Sequence, residues 1–180
     1  MTNFNASTSD SLNISNINTL LQEQHGLYSL AKPLTVKDFV RCAKHLIACQ
    51  YKYTDSTAMT SAQKSKDYLI TALSLYEEEK FAVLFLDNHR HVIAFEILFH
   101  GTVNGAAVYS RVLMKRVLAH NAAAVILAHN HPSGNPTASL TDIRLTQKLK
   151  ELLKLLDVEV LDHIIVGGVN AESLAELDKM

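Results

Sequence analysis

The feature that most constrains this chain is an apolar run that stops abruptly at two histidines. Residues 123–128 read Ala-Ala-Val-Ile-Leu-Ala, which is typical of a strand buried in a sheet. They run directly into His-Asn-His-Pro-Ser-Gly-Asn-Pro over residues 129–136, where two prolines and a glycine exclude regular structure. The pattern predicts a buried strand whose end opens into a polar turn.

Apolar periodicity on both sides of this strand predicts the remaining elements. Helices are predicted over about 35–50, from Ser61, over 111–119 and over 139–156, and strands over 81–86, 91–99 and 158–166. Residues 87–90 are turn-like, so the first two strands form a hairpin. A hairpin combined with helical crossovers predicts an α+β fold, an α/β sandwich in which helices flank a central mixed sheet.

Composition divides the chain into three parts. Residues 1–32 are rich in Ser, Asn, Thr and Gln and are predicted to form a flexible arm, although their isolated leucines are also compatible with a short amphipathic element. Residues 33–60 are predicted to form an N-terminal helical segment, and residues 61–180 the main domain.

Charge and hydropathy exclude several classes of protein. A net charge of −1 lacks the basic excess of a nucleic-acid-binding protein, although a local basic patch is compatible with it. No apolar stretch approaches the about 20 residues that span a bilayer, and no secretory signal is visible. Cys42 and Cys49 lie on one predicted helix about 10 Å apart, too far for a disulfide. We therefore expect a cytoplasmic protein without membrane contact; the sequence defines no oligomeric state.

The turn after the buried strand carries a set of side chains suited to a metal ion. His129 and His131 are two residues apart, so in extended chain both imidazoles point the same way. The turn returns the chain to a helix whose first turn contains Asp142. Two histidines and one carboxylate leave the fourth position of a tetrahedral site open, which is typical of a catalytic zinc site. Other divalent ions accept the same ligands.

Each of these residues also has a purely structural interpretation. Asp142 alone is typical of a helix start, and Ser139 alone of an N-cap; together they resemble a capping box. The chain also contains a control, because His89 and His91 have the same spacing within a polar hairpin turn. No carboxylate follows that pair at the matching distance, and we interpret it as two surface histidines.

The string His-Asn-His-Pro-Ser-Gly-Asn-Pro-Thr-Ala-Ser-Leu-Thr-Asp over residues 129–142 resembles the JAB1/MPN/Mov34 (JAMM) metalloprotease motif, His-x-His followed by ten residues and Asp. In detail it is similar to the RadC branch, a resemblance that covers about residues 61–178 and includes Gly101-Thr102, Arg111, residues 121–124 and residues 161–167. It implies a cytidine-deaminase-like JAMM fold with one Zn²⁺ per chain. Fuller RadC-like proteins carry a helix-hairpin-helix DNA-binding domain, but no Gly-bearing hairpin signature of that kind occurs between residues 33 and 76, so we expect a short form without that domain.

The resemblance further implies two catalytic residues. Glu96 matches the position of the catalytic base, and Ser139 matches the residue that assists the tetrahedral intermediate. The residues themselves support the first assignment, because Glu96 lies between Phe95 and Ile97 in an apolar strand, where a charge is rarely placed without a purpose. An outward-facing carboxylate on an edge strand is the alternative.

Two further residues have open assignments. Arg111, at a helix start, would bind an acidic group of a substrate or pair with a nearby acid. Asp162, next to His163, would orient a ligand histidine from behind the metal, or make purely structural contacts.

The sequence thus predicts a zinc metallopeptidase with a peptide or protein substrate. Two alternatives remain open. One is an accessory protein of DNA repair or nucleic-acid processing, which would require a basic surface and salt-sensitive binding. The other is a non-catalytic MPN-type interaction module, whose binding would survive loss of the metal ligands.

Overall fold

The structure is a computed structural model that describes residues 58–101 and 108–180. In the N-terminal part it describes two strands and residues 33, 35, 38–39 and 42–43. The chain forms two compact units, residues 1–48 and 49–180.

The N-terminal unit contains a short antiparallel pair of strands, β1 (Leu21–Gln24) and β2 (Leu27–Leu30). They lie within the range predicted as a flexible arm. The predicted helix over 35–50 is described at 38–39 and 42–43, which are helical, and Thr35 accepts a hydrogen bond from the backbone N–H of Asp38 at 3.2 Å. Cys42 is buried and free, whereas Cys49 lies outside the described residues. The predicted boundaries at 32/33 and 60/61 stay predictions.

The second unit alternates helices with strands, as predicted. In chain order its elements are α1 (Ala62–Leu73), β3 (Lys80–Leu86), β4 (Val92–His100), α2 (Ser110–Ala119), β5 (Ala124–Asn130), α3 (Leu140–Lys154), β6 (Glu159–Gly167) and β7 (Asn170–Ser173). The predicted α+β class is confirmed. The sequence interpretation ended at β6, and β7 was missed because a short polar strand has no apolar alternation.

The strands of this unit that the structure describes form one mixed sheet in the order β4-β3-β5-β6-β7. The β5–β6 pair is parallel and the other pairs are antiparallel. β5 lies in the centre, where all seven of its residues are buried, as its apolar sequence predicts. The turn that follows β5 therefore lies at the C-terminal end of the central strand, with neighbouring strands on both sides.

Helices cover both faces of the sheet. On one face, Leu113 and Val117 of α2 and Leu149 and Leu153 of α3 share one apolar core with inward side chains of β3 and β5. On the other face, α1 buries Leu69 and Leu73 against the sheet. This arrangement is the predicted sandwich. No helix among the described residues is long and apolar enough to cross a bilayer.

Asn130, the residue between the two histidines, fastens the start of β3 to the end of β5. Its side-chain oxygen accepts the backbone N–H of Lys80 at 2.8 Å, and its side-chain nitrogen donates to the carbonyls of Tyr76 and Glu78 at 3.1 Å each. The Asn130 side chain is buried, so water cannot replace these bonds.

We expect Asn130→Ala to lower the free energy of unfolding by about 1–3 kcal/mol, because it leaves the buried N–H of Lys80 without its partner and removes two further hydrogen bonds. Chemical denaturation would measure the change, with Asn170→Ala at an exposed position as the control. An unchanged unfolding midpoint for Asn130→Ala would contradict this anchoring role.

Candidate metal centre

The two histidines of the turn converge as their spacing predicts. The backbone N–H of His131 donates to the carbonyl of Val166 at 2.8 Å, which continues the sheet pairing one residue beyond β5. His129 is buried and His131 is half-buried. Their Nε2 atoms lie 3.0 Å apart. Both imidazoles therefore present the same nitrogen to one point.

Asp142 reaches that point from α3. Ser139 is the N-cap of α3 and forms a capping box with Asp142, which confirms the structural interpretation of the pair. Asp142 Oδ2 accepts the backbone N–H and the hydroxyl of Ser139 at 2.8 and 2.6 Å. Oδ1 accepts no hydrogen bond from the described residues and lies 3.5 Å from His129 Nε2. One carboxylate oxygen is thus left for a cation.

The three side chains fit a tetrahedral metal ion. The two Nε2 atoms lie 3.0 Å apart, Asp142 Oδ1 lies 3.5 Å from His129 Nε2, and one ligand atom from each of the three residues lies within 4.8 Å of the others. Ligands about 2.0–2.1 Å from a tetrahedral ion are separated by about 3.3 Å. Burial lowers the pKa of His129 to about 4, against the opposing effect of Asp142. The imidazole is therefore neutral at pH 7, which is the form that binds metals.

The Nδ1 atom of each candidate ligand histidine already has a hydrogen-bond partner. His131 Nδ1 lies 2.8 Å from the carbonyl oxygen of Asn135, to which it donates. His129 Nδ1 lies 2.9 Å from Nε2 of the buried His163. In the neutral imidazole, Nε2 of His131 therefore carries a lone pair, and this lone pair faces Nε2 of His129.

His163, and not Asp162, makes the contact behind His129. The Asp162 carboxylate instead accepts the backbone N–H groups of His163 and Ala175 and the hydroxyl of Ser173, which tie β6 to the segment around β7. The reason is a register shift in β6, where Val160 pairs with Val125 but Asp162 pairs with the next residue of β5. The extra residue changes which side chain faces α3, and the sequence shows no sign of it.

Two glycines shape the loop that carries His131. Gly134 has φ of +81°, a left-handed conformation that favours glycine. Gly167, at the end of β6, lies under this loop: a Cβ there would stand 2.5–2.7 Å from backbone atoms of Pro136, Gly134 and Asn135. Only glycine at 167 lets the loop lie this close. The carbonyl that orients His131 belongs to the same loop.

Glu96, the predicted base, faces α2. Its carboxylate forms a bidentate pair with Arg116, with the Arg116 Nε–H donating at 2.7 Å, and lies 2.8 Å from His120 Nε2. The Arg116 guanidinium holds the pKa of this carboxyl below its usual value. Glu96 shares Val83 as a register partner with Leu127, two residues before His129. Glu96 is therefore two strands across the sheet from β5 and two residues along it from His129. This separation puts the Cα atoms of Glu96 and His129 about 12 Å apart.

The other predicted residues lie apart from the ligands. Arg111 is exposed in the first turn of α2 and makes no ion pair or hydrogen bond with the described residues. In the control pair, His91 lies 3.2 Å from the Asp87 carboxylate and the His89 backbone N–H caps the same side chain. That pair belongs to the hairpin turn, as predicted.

Known proteins share this domain. Residues 59–179 match the family described as the RadC-like JAB domain. The chain belongs to this family. A UPF0758 protein of Nitrosococcus oceani is 55% identical over 118 residues, which are 66% of this chain and 53% of that protein.

Two further relatives are also UPF0758 proteins. That of Cellvibrio japonicus is 46% identical over 147 residues, or 82% of this chain and 65% of that protein. One of Vibrio cholerae is 49% identical over 118 residues, or 66% of this chain and 75% of that protein. The chain thus covers less than two thirds of the length of the relatives from Nitrosococcus and Cellvibrio. The matched RadC-like domain contains all three candidate metal ligands.

We expect Gly167→Ala to weaken divalent-metal binding by the RadC-like domain about tenfold or more, because it displaces the carbonyl that orients His131. Competition with a chromogenic chelator would measure the Kd for zinc. Gly168→Asn is the matched control, since Asn tolerates left-handed φ and no atom lies within 4 Å of a Cβ there. Equal zinc Kd values for Gly167→Ala and wild type would exclude this role of the loop.

Proposed function

We propose that this RadC-like domain is a zinc-dependent metallohydrolase that cleaves an amide bond, in a peptide or as an isopeptide link between proteins. The observation that carries the proposal is the convergence of three atoms on a single point. They are the Nε2 atoms of two histidines and one carboxylate oxygen that accepts no hydrogen bond from the described residues. Neutral nitrogen ligands and a single carboxylate favour zinc, one ion per chain, over harder cations that prefer oxygen alone.

The ligand set supports catalysis better than a structural role for the metal. Three protein ligands leave one position open, whereas structural zinc sites use four. A zinc ion held there would lower the pKa of a coordinated water molecule toward 7 and polarise the carbonyl of the scissile bond. The two imidazoles and the one carboxylate leave such a site with a net positive charge, which favours a carbonyl oxygen that gains negative charge.

Glu96 is the proposed general base, which takes a proton from the attacking water and delivers it to the leaving amine. The carboxylate is ionised at pH 7 and able to accept a proton, but its ion pair with Arg116 lowers its pKa and so weakens it as a base. Acting as the base requires the Glu96 side chain to leave Arg116 and turn toward the site.

Ser139 and Arg111 are the proposed substrate contacts. Ser139 would donate its hydroxyl to the oxyanion beside the metal, once that proton leaves Asp142 Oδ2. Arg111, exposed at the start of α2, would pair with an acidic group of the substrate. A non-catalytic MPN-type module has no need for converging ligands, so the geometry favours an enzyme over that alternative.

The first prediction concerns metal content. We expect purified wild-type protein to contain about one zinc per chain, because three ligands and one open position define one catalytic site. His131→Ala and Asp142→Asn should lose the zinc; the second keeps an acceptor for the α3 cap. His89→Ala removes a histidine outside the site and should retain it. Mass spectrometry of the metal measures all four, and wild type without zinc after reconstitution would contradict the proposal.

The second prediction separates the base from the ligands. Glu96→Gln is expected to retain zinc but to lower kcat on a cleaved peptide or isopeptide about 10²–10⁴-fold, because the amide cannot accept the proton. Glu159→Gln is the matched control, since Glu159 also pairs with an arginine, Arg90. Full activity in Glu96→Gln would restrict Glu96 to its ion pair with Arg116.

A further inference from the structure

A chain of buried hydrogen bonds runs behind the metal centre and joins two of its ligands. His129 Nδ1 lies 2.9 Å from His163 Nε2, and His163 Nδ1 lies 2.5 Å from the hydroxyl of Thr146. That hydroxyl donates to the backbone carbonyl of Asp142 at 2.7 Å. His129, His163 and Thr146 are all buried, with exposed fractions of 2% or less.

The number of protons that each group can donate fixes the donor and the acceptor in every one of these hydrogen bonds. A carbonyl oxygen only accepts, so the single hydroxyl proton of Thr146 goes to Asp142. Thr146 must then accept from His163, which places the proton of that imidazole on Nδ1. His163 Nε2 is left as an acceptor, so His129 must carry its own proton on Nδ1. The Nε2 lone pair of His129 is therefore free to face the metal.

We infer that His163 and Thr146 are positioning residues, which hold His129 in the one tautomer able to bind the metal through Nε2. These hydrogen bonds also connect β5 to the first turns of α3, where they end on the backbone of Asp142. The inference rests on the proposed metal site, but it concerns residues outside the ligand set.

A purely structural role explains these residues less well. Burying two imidazoles and a hydroxyl costs free energy that apolar side chains of similar size avoid. His163 contacts Phe81 edge-on in the same core, where another aromatic residue would meet the packing requirement. The second ligand, His131, obtains the same tautomer from the loop carbonyl of Asn135. Two ligands thus receive the same proton arrangement from unrelated parts of the fold.

Nitrogen-15 NMR of the metal-free wild-type protein tests the tautomer directly. We expect His129 to show a protonated Nδ1 and an unprotonated Nε2 before any metal is added. A proton on His129 Nε2, with Nδ1 unprotonated, would overturn the inference. This measurement requires no variant to fold.

Thr146→Val tests the relay itself, because it removes the hydroxyl with little change of shape. We expect the Kd for zinc, measured by chelator competition on folded protein, to rise about 10–100-fold. Thr146→Ser retains the hydroxyl and should return the Kd close to the wild-type value. Thr71→Val is the matched control, since Thr71 also donates to the carbonyl four residues before it but lies on α1.

The outcomes distinguish two kinds of failure. Wild type that binds no zinc would refute the proposed function, whatever the tautomer of His129. Wild type that binds zinc, with Thr146→Val binding equally well, would refute the positioning role alone. A higher Kd in Thr146→Val and Thr71→Val alike would have the same meaning, because it would report general destabilisation.

Discussion

The central strand β5 is the constraint on which the rest of the structure depends. It pairs antiparallel with β3 on one side and parallel with β6 on the other, so its direction and register are fixed twice. Side chains alternate between the two faces of the sheet, so neighbouring residues at the end of β5 point in opposite directions. His129 and His131 turn toward α3, whereas Asn130 turns to the opposite side and fastens the segment before β3. The spacing that brings the two candidate ligands together therefore also directs Asn130 to the segment before β3.

This arrangement places unusually polar side chains in a core, and the fold supplies a partner for each. Among the described residues, no buried side-chain nitrogen or oxygen lacks a hydrogen-bond partner. Burial without partners would cost about 1–3 kcal/mol for each group. Thr146 is the clearest case, since its hydroxyl satisfies both its own helix and His163. Hydrogen bonds therefore orient the candidate site from behind and leave Asp142 Oδ1 and the two facing Nε2 atoms for a cation, and metal sites benefit from such prior order.

The features predicted from the sequence are set by residues close together in the chain. The features that were missed depend on strand register and on packing between distant segments. Two-residue periodicity and the cap at Ser139 predicted β5, the start of α3 and the convergence of three ligands, since each follows from neighbours in the chain. Of the two assignments left open for Asp162, the structure shows the structural contacts, because a register shift in β6 places His163 behind His129. The role of Gly167 was not predicted, because the need for glycine there comes from the loop packed on it.

Glu96 shows how an observed contact and a proposed role fit together. Its pair with Arg116 is bidentate, yet the two side chains retain 25% and 38% exposure. Ion pairs this accessible to water contribute little free energy, because solvent screens them and ordering two long side chains costs entropy. So weak an ion pair does not prevent the carboxylate from leaving Arg116 for a stronger hydrogen bond, such as one from an attacking water. Arg116 therefore holds Glu96 in the present conformation only weakly, on the edge strand β4.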